Sequence, residues 1–239
     1  MSSNKVVSKN SVKRLLRDVA SVIKNPLTEE GIYYVHNEEN MYKGTAMIIG
    51  PKDTPYENGY YLFHFKYPKN YPYSPPKVTY HTNNGVTRFN PNLYRNGKVC
   101  ISILNTWKGE QWTSCQNIRS VLLTLVTLLN ENPLTNEPGY SPGHRLCLPY
   151  KRMITYMNFH TSILGMITKK SLPNMFLGYY VIIKKHFLEN KDNILEKIDK
   201  LERSPINNTE DGISLYKMNY KYDYTALKIK FLEEIQKVL

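Results

Sequence analysis

The stretch that most narrows the possible folds runs from Gly31 to Tyr80. It holds four short runs, "GIYYV", "GTAMIIGP", "YYLFHFKYP" and "KVTYH", rich in aromatic and β-branched residues and separated by clusters of turn formers. "PKDTPYENG" supplies turn chemistry between the second and third runs. "YPKNYPYSPPKV" follows the third with four prolines, which fix φ and remove backbone donors, so neither a helix nor a central strand can pass through it. The pattern predicts an antiparallel four-stranded meander closed by a rigid, irregular loop.

Helical periodicity flanks this segment on both sides. In residues 11–24, Val12, Leu15, Leu16, Val19, Val22 and Ile23 share one face after a cap at Ser11 or Asn10, and "NPLT" ends the helix. In "QNIRSVLLTLVTLLNEN", Ile118, Val121, Leu122, Leu125, Val126 and Leu129 recur at helical spacing with few polar positions between them, which predicts a central, buried helix. Beyond the Pro/Gly-rich connector "PLTNEPGYSPG" the pattern is helical over 150–170, about 174–203 and about 222–239, with "SPINNTEDG" as a polar break. The fold class is α+β. Residues 1–10 are expected to be flexible, 11–165 to form the core domain and 166–239 a helical extension.

Composition excludes several classes. A chain of 239 residues buries a sufficient core without staples. Three cysteines, Cys100, Cys115 and Cys147, are an odd number with no C-x-x-C spacing and no paired histidines, so neither a disulfide framework nor a zinc site is indicated and a reducing interior is expected. The surplus of 32 Lys+Arg over 20 Asp+Glu, a net +12, suits nucleic acid or an acidic protein partner. The basic residues are scattered, without Arg-Gly repeats or the spacing of a helix-turn-helix or zinc finger, so no nucleic-acid partner is expected. The N-terminus is polar and basic, and no run approaches the roughly 18 apolar residues of a membrane span. A soluble protein of the cytoplasm or nucleus, with no membrane partner, is the expectation.

"RFNPNLYRNGKVC", Arg88 to Cys100, carries the candidate chemistry. A thiol suits an acyl group that must be taken up and handed on, since thiolates attack and leave more readily than alkoxides. Flanked by Val99 and "ISIL", Cys100 also reads as a small buried apolar residue, and "NPNLYRNG" also reads as plain turn chemistry. A cysteine hydrolase would need a histidine beside the thiol. Six exist, at 36, 64, 81, 144, 160 and 186, none in a local signature.

The order of these features decides among the readings. A helix, a meander, "GPKDTPYENG" at 50–59, "YPYSPP" at 71–76, "NPN", a cysteine eight residues after its second asparagine, and Trp112 together resemble the ubiquitin-conjugating enzymes, over roughly residues 11–165. Asn90 at the commoner histidine position, the longer Trp-containing loop and "NEPGY" at 136–140 are similar to the Asn-Pro-Asn branch, which holds the Z-type enzyme and the conjugating domains of giant apoptosis-inhibitor fusions.

The resemblance implies the UBC-like fold and a thioester on Cys100. It assigns Asn92 to the oxyanion of aminolysis or to bracing the loop, and Glu137 to orienting an incoming lysine and favouring its deprotonation. Asn90 would bear on loop geometry more than on proton transfer. Lys13, Arg14 and Arg17 match positions that dock the acidic domain of the activating enzyme, and Tyr73 with Ser114 matches the surface offered to ligases. Tyr94 and Trp112 would flank the groove by packing, and Cys115 and Cys147 would be packing residues. The implied partners are ubiquitin or a ubiquitin-like modifier, the activating enzyme, a ligase and protein substrates, with no metal or organic cofactor. A catalytically inactive scaffold or binding module of the same fold is the alternative.

Overall fold

The computed structural model describes residues 9–238. Of the segment expected to be flexible, residues 1–8 lie outside the described residues, while Lys9 and Asn10 open the first helix. Helix α1 (Lys9–Lys24) starts ahead of the predicted cap and buries Ser11, Leu15, Asp18, Val19 and Val22. Leu16 and Ile23, expected on the same face, are 50% and 61% exposed. At 100° per residue they sit one position off the stripe that meets the core.

The meander forms as expected: β1 (Ile32–His36), β2 (Lys43–Ile49), β3 (Tyr60–Lys66) and β4 (Lys77–Tyr80) lie in the order β1-β2-β3-β4, each antiparallel to the next. Register places Ile32, Ile48 and Tyr61 on one face with Tyr34, Ala46 and Phe63. On that side Ile32 and Tyr34 line a small cavity with Leu122 of α2 (Ile118–Thr127), the predicted central helix. Asn117 and Ser120 cap that helix reciprocally.

The opposite sheet face carries Thr45, Tyr60 and Leu62, and the C-terminal helical extension covers it. A 3₁₀ turn (Asn174–Tyr179) leads into α5 (Tyr180–Glu202). The Tyr179 hydroxyl donates to the Thr45 carbonyl at 2.8 Å, the Tyr60 hydroxyl donates to the Ile183 carbonyl at 3.1 Å, and Phe176 packs against His81. Hence β3 is buried on both faces along Tyr60–Phe65, which explains its near-continuous apolar run. Tyr179 at the end of the 3₁₀ turn and Ile183, Phe187, Ile194 and Ile198 of α5 are buried within the molecule.

Before α5, α3 (Cys147–Met157) runs into a π-helical segment (Asn158–Leu164) and a final turn, α4 (Gly165–Ile167). Asn158, at the onset of the π segment, accepts from the Tyr61 hydroxyl at 2.7 Å and donates to the Glu57 carbonyl at 2.8 Å. The extension is not wholly helical. A hairpin of β5 (Glu210–Ile213) and β6 (Met218–Lys221) begins at the end of the predicted polar break and fills the interval before α6 (Tyr224–Val238). "EDGI" and "MNYK" are too short and too polar to announce strands by alternation.

Truncating Ile183 to alanine is expected to cost about 2–5 kcal/mol, because it opens a cavity between α5 and the sheet. Urea unfolding followed by tryptophan fluorescence and by circular dichroism should give one coincident transition in both proteins. Separate transitions would show the extension docking as an independent unit.

Candidate active site

The site is built on a small hairpin. Leu93 bridges Val99, the Tyr94 amide donates to Lys98 O at 2.9 Å, and the Gly97 amide returns to Tyr94 O at 2.9 Å. Gly97 has φ +85°, and a Cβ there would meet Tyr80 O at 2.9 Å, so the turn requires glycine. Beyond the Leu93–Val99 pair the Cys100 amide donates to Asn92 O at 2.9 Å. Paired residues of antiparallel strands share a face with Cβ atoms about 4.5–5.5 Å apart, so Asn92 and Cys100 stand side by side. The eight-residue spacing is therefore the span of one hairpin.

Asn92 closes this arrangement with its side chain. Its Nδ2 donates to the Cys100 carbonyl at 2.5 Å, while its Oδ1 is buried without a partner. An amide carries two N–H donors, so one remains uncommitted. Cys100 is 2% exposed, and its thiol donates to the Thr106 carbonyl at 3.3 Å. Among the described residues no imidazole hydrogen-bonds this thiol. His36 is engaged by Tyr34 and Met41, His144 by Tyr140 and Leu146, and His186 by Tyr60, while His64 and His81 pack on each other. The thiol–imidazole pair of a cysteine hydrolase is not assembled.

Asn90, fully buried, fastens the hairpin to the body of the protein. Its Nδ2 donates to Leu128 O at 2.7 Å and to the Tyr56 hydroxyl at 3.0 Å, and its Oδ1 accepts the Asn92 amide at 2.9 Å. Tyr56 in turn donates to Phe89 O at 2.7 Å, and burial holds its phenol far above the ordinary range. The amide thus fixes loop geometry, the part expected of this position.

Glu137 is half-buried and accepts a 2.6 Å hydrogen bond from the Tyr216 hydroxyl. Tyr216 comes from the connection between β5 and β6, which no local signal tied to the site. Burial first, then the Glu137 carboxylate, push its phenol well above the ordinary value. Arg88 stacks on Tyr94, 3.3 Å from the ring centroid, and lies 5.3 Å from the Tyr216 ring, while Arg95 donates to Tyr216 O. The C-terminal hairpin therefore holds the loop from two sides.

The remaining sequence-predicted residues divide. Lys13 and Arg17 are exposed on α1. Arg14 is engaged within the fold: it pairs with Asp18 at 2.8 Å and donates to the carbonyls of Ser114 and Gln116 at 2.7 Å each. Asp18 also accepts from the Tyr71 hydroxyl at 2.7 Å. Trp112 is 8% exposed, donates to Pro72 O at 2.6 Å and packs on Tyr71. These contacts set the Tyr73 loop beside the Ser114 loop, with Tyr73 itself 72% exposed. Cys147 is buried with its thiol on Ser141 O, as a packing residue should be. Cys115 is exposed, contrary to that expectation, because it precedes the capped start of α2 instead of lying within the helix.

Residues 14–142 match the family model described as ubiquitin-conjugating enzyme. The chain belongs to the ubiquitin-conjugating enzyme family. It is 40% identical to ubiquitin-conjugating enzyme E2 Z of Danio rerio over 195 residues, 79% of this chain and 57% of that protein. The Homo sapiens E2 Z is 41% identical over 185 residues, covering 75% and 50% of the two chains. A probable ubiquitin-conjugating enzyme E2 of Acanthamoeba polyphaga mimivirus is 33% identical over 226 residues, 88% of this chain and 15% of that protein. The chain thus spans about half the length of the E2 Z relatives it matches. These likenesses agree with the Asn-Pro-Asn branch.

Replacing Asn90 by alanine leaves the Asn92 amide buried without an acceptor, while the Leu128 carbonyl keeps Asn136 as a donor, a loss of about 1–3 kcal/mol. Chemical denaturation is expected to show a destabilisation of about 1–3 kcal/mol. A variant as stable as wild type would remove Asn90 from its bracing role.

Proposed function

We propose that the chain accepts ubiquitin or a ubiquitin-like modifier on Cys100 as a thioester and transfers it to substrate lysines, usually with a ligase. The observation that carries this reading is the braced Asn92–Cys100 hairpin within a chain that matches the family model over 14–142. The Cys100 thiolate attacks the thioester of the activating enzyme; a new C–S bond forms, the old one breaks, and the departing thiolate takes a proton. ATP is spent earlier, at the activating enzyme. In the second step a neutral lysine amine adds to the thioester carbonyl and loses a proton to water, the tetrahedral oxyanion collapses, and Cys100 leaves as thiolate with an isopeptide bond formed.

Asn92 serves both steps differently. Its engaged N–H braces the strand that carries the thiol, and its uncommitted N–H is the donor for the oxyanion of aminolysis. Glu137, held by Tyr216, orients the incoming amine and favours its deprotonation. Lys13 and Arg17 form the exposed basic face for an acidic domain of the activating enzyme, with Arg14 shaping the adjacent loop. Tyr73 and Ser114 offer the ligase surface. In this reading residues 11–165 are the conjugating core, 166–239 the extension, and the protein acts in the cytoplasm or nucleus. Among the described residues no helix is long and apolar enough to cross a membrane. The presence of Cys100, Asn92 and Glu137 together favours an active enzyme over an inactive scaffold.

Incubation with activating enzyme, ATP and ubiquitin should give a reductant-sensitive adduct in wild type and none in Cys100→Ala. The conjugating activity is refuted if no ubiquitin-like modifier yields such an adduct. In single-turnover chase with free lysine, Asn92→Ala should load normally but discharge about 10²–10³-fold more slowly. Glu137→Gln should slow discharge at least about tenfold while loading stays unchanged. Equal discharge by either variant and wild type removes that residue from the mechanism.

A further inference from the structure

Three lysines stand in one row across the sheet. Lys43 is the register partner of Lys66, and Lys66 of Lys77, so all three side chains leave the same face of β2, β3 and β4. The neighbouring row on that face runs Thr45, His64, Thr79 and then Lys98, through the bridge between Thr79 and Lys98. All four lysines are exposed, and among the described residues none has an acidic partner; Lys98 only overhangs the Tyr94 ring at 5.5 Å. Like charges set directly opposite destabilise a sheet. Burial first, then Lys66, His81 and Lys43, hold the His64 imidazole below its ordinary value, so the charges of this row are felt by their neighbours.

Beside the row lies an open groove of about 560 Å³ whose walls include Pro75, Pro76, Val99 and Leu104, with Lys77 and Lys98 along it. Thr106 also lines it, and the Thr106 carbonyl accepts the Cys100 thiol. Lys98 precedes Cys100 by two residues on the same strand, so the two side chains share a face about 6.5–7 Å apart along the backbone. The extension covers the sheet at Thr45, Tyr60 and His81 and leaves the lysine row open.

We propose that this basic row and groove form a docking site for an extended acidic peptide segment of a protein substrate, which sets a lysine of that segment against Cys100. The observation is charge without an acidic partner among the described residues, beside a largely apolar trough lined by Thr106, whose carbonyl accepts the Cys100 thiol. Apolar walls fit the side chains of an extended peptide, and among the described residues of the row and the groove lining there is no arginine, the residue whose fork matches phosphate bidentately. A phosphodiester backbone would leave the proline-lined walls unused. The delivery of the lysine rests on Cys100 being the thioester carrier; the binding of the peptide does not.

The test is fluorescence anisotropy with the unloaded full chain and a labelled 12-residue peptide, one lysine flanked by glutamates at alternate positions, against its all-glutamine counterpart. The acidic peptide should bind at least about tenfold more tightly and weaken on going from 50 to 200 mM NaCl. Lys66→Gln/Lys77→Gln/Lys98→Gln should lose at least about tenfold in affinity while folding no less stably than wild type, since it relieves like-charge repulsion. Lys185→Gln/Lys200→Gln/Lys237→Gln, which removes equal charge elsewhere, should lose less than about threefold. The proposal is overturned by equal losses in the two triple variants, by equal binding of the two peptides, or by a 12-nucleotide RNA that displaces the peptide at lower concentration than unlabelled peptide does. Because no activating enzyme or ATP is present, these outcomes are independent of whether Cys100 loads. With loaded protein, the row variant should raise KM for the acidic peptide and leave discharge to free lysine unchanged.

Discussion

One buried amide holds the candidate site to the fold. Asn90 reaches the carbonyl that ends α2, the tyrosine of the 50–59 turn and the amide of Asn92 at once. Asn136 adds a longer contact from the loop that leads to Glu137. A neutral amide suits this position because it donates and accepts simultaneously, so every polar group that it meets is satisfied without burying a charge. The hairpin that carries Cys100 is exact in register because its first residue cannot shift without orphaning one of these groups. Asn90 is thus a brace, and among the described residues no imidazole hydrogen-bonds the thiol.

Around that brace the protein is built twice over. The meander meets α2 on one face and α5 on the other, so its middle strand loses the alternation that a sheet with one wet face keeps. The same C-terminal segment then returns through β5 and β6 to the rim of the site, where Tyr216 holds Glu137 and flanks Arg88. The extension is therefore a structural partner of the loop that carries Glu137 as well as a cover for the sheet. It also defines which part of the sheet stays open, and that open part is the end bearing Lys43, Lys66 and Lys77.

Local physics carried much of this into the sequence. Proline placement and aromatic runs determined the four strands and the rigid loop after the third. Periodicity determined α2 and most of α5, and the Asn-Gly turn within a fixed eight-residue interval determined that Asn92 meets Cys100. These features depend on neighbours in the chain, where φ restriction and side-chain period act directly. The partner of Glu137, the double burial of β3, the internal engagement of Arg14 and the unpaired lysine row depended on residues far apart in the chain or on strand register. Pairing across 79 or 100 positions leaves no periodic trace, and a lysine reads alike whether it faces water, a carboxylate or another lysine. Only the folded arrangement, through register and burial, decided which of those it faces.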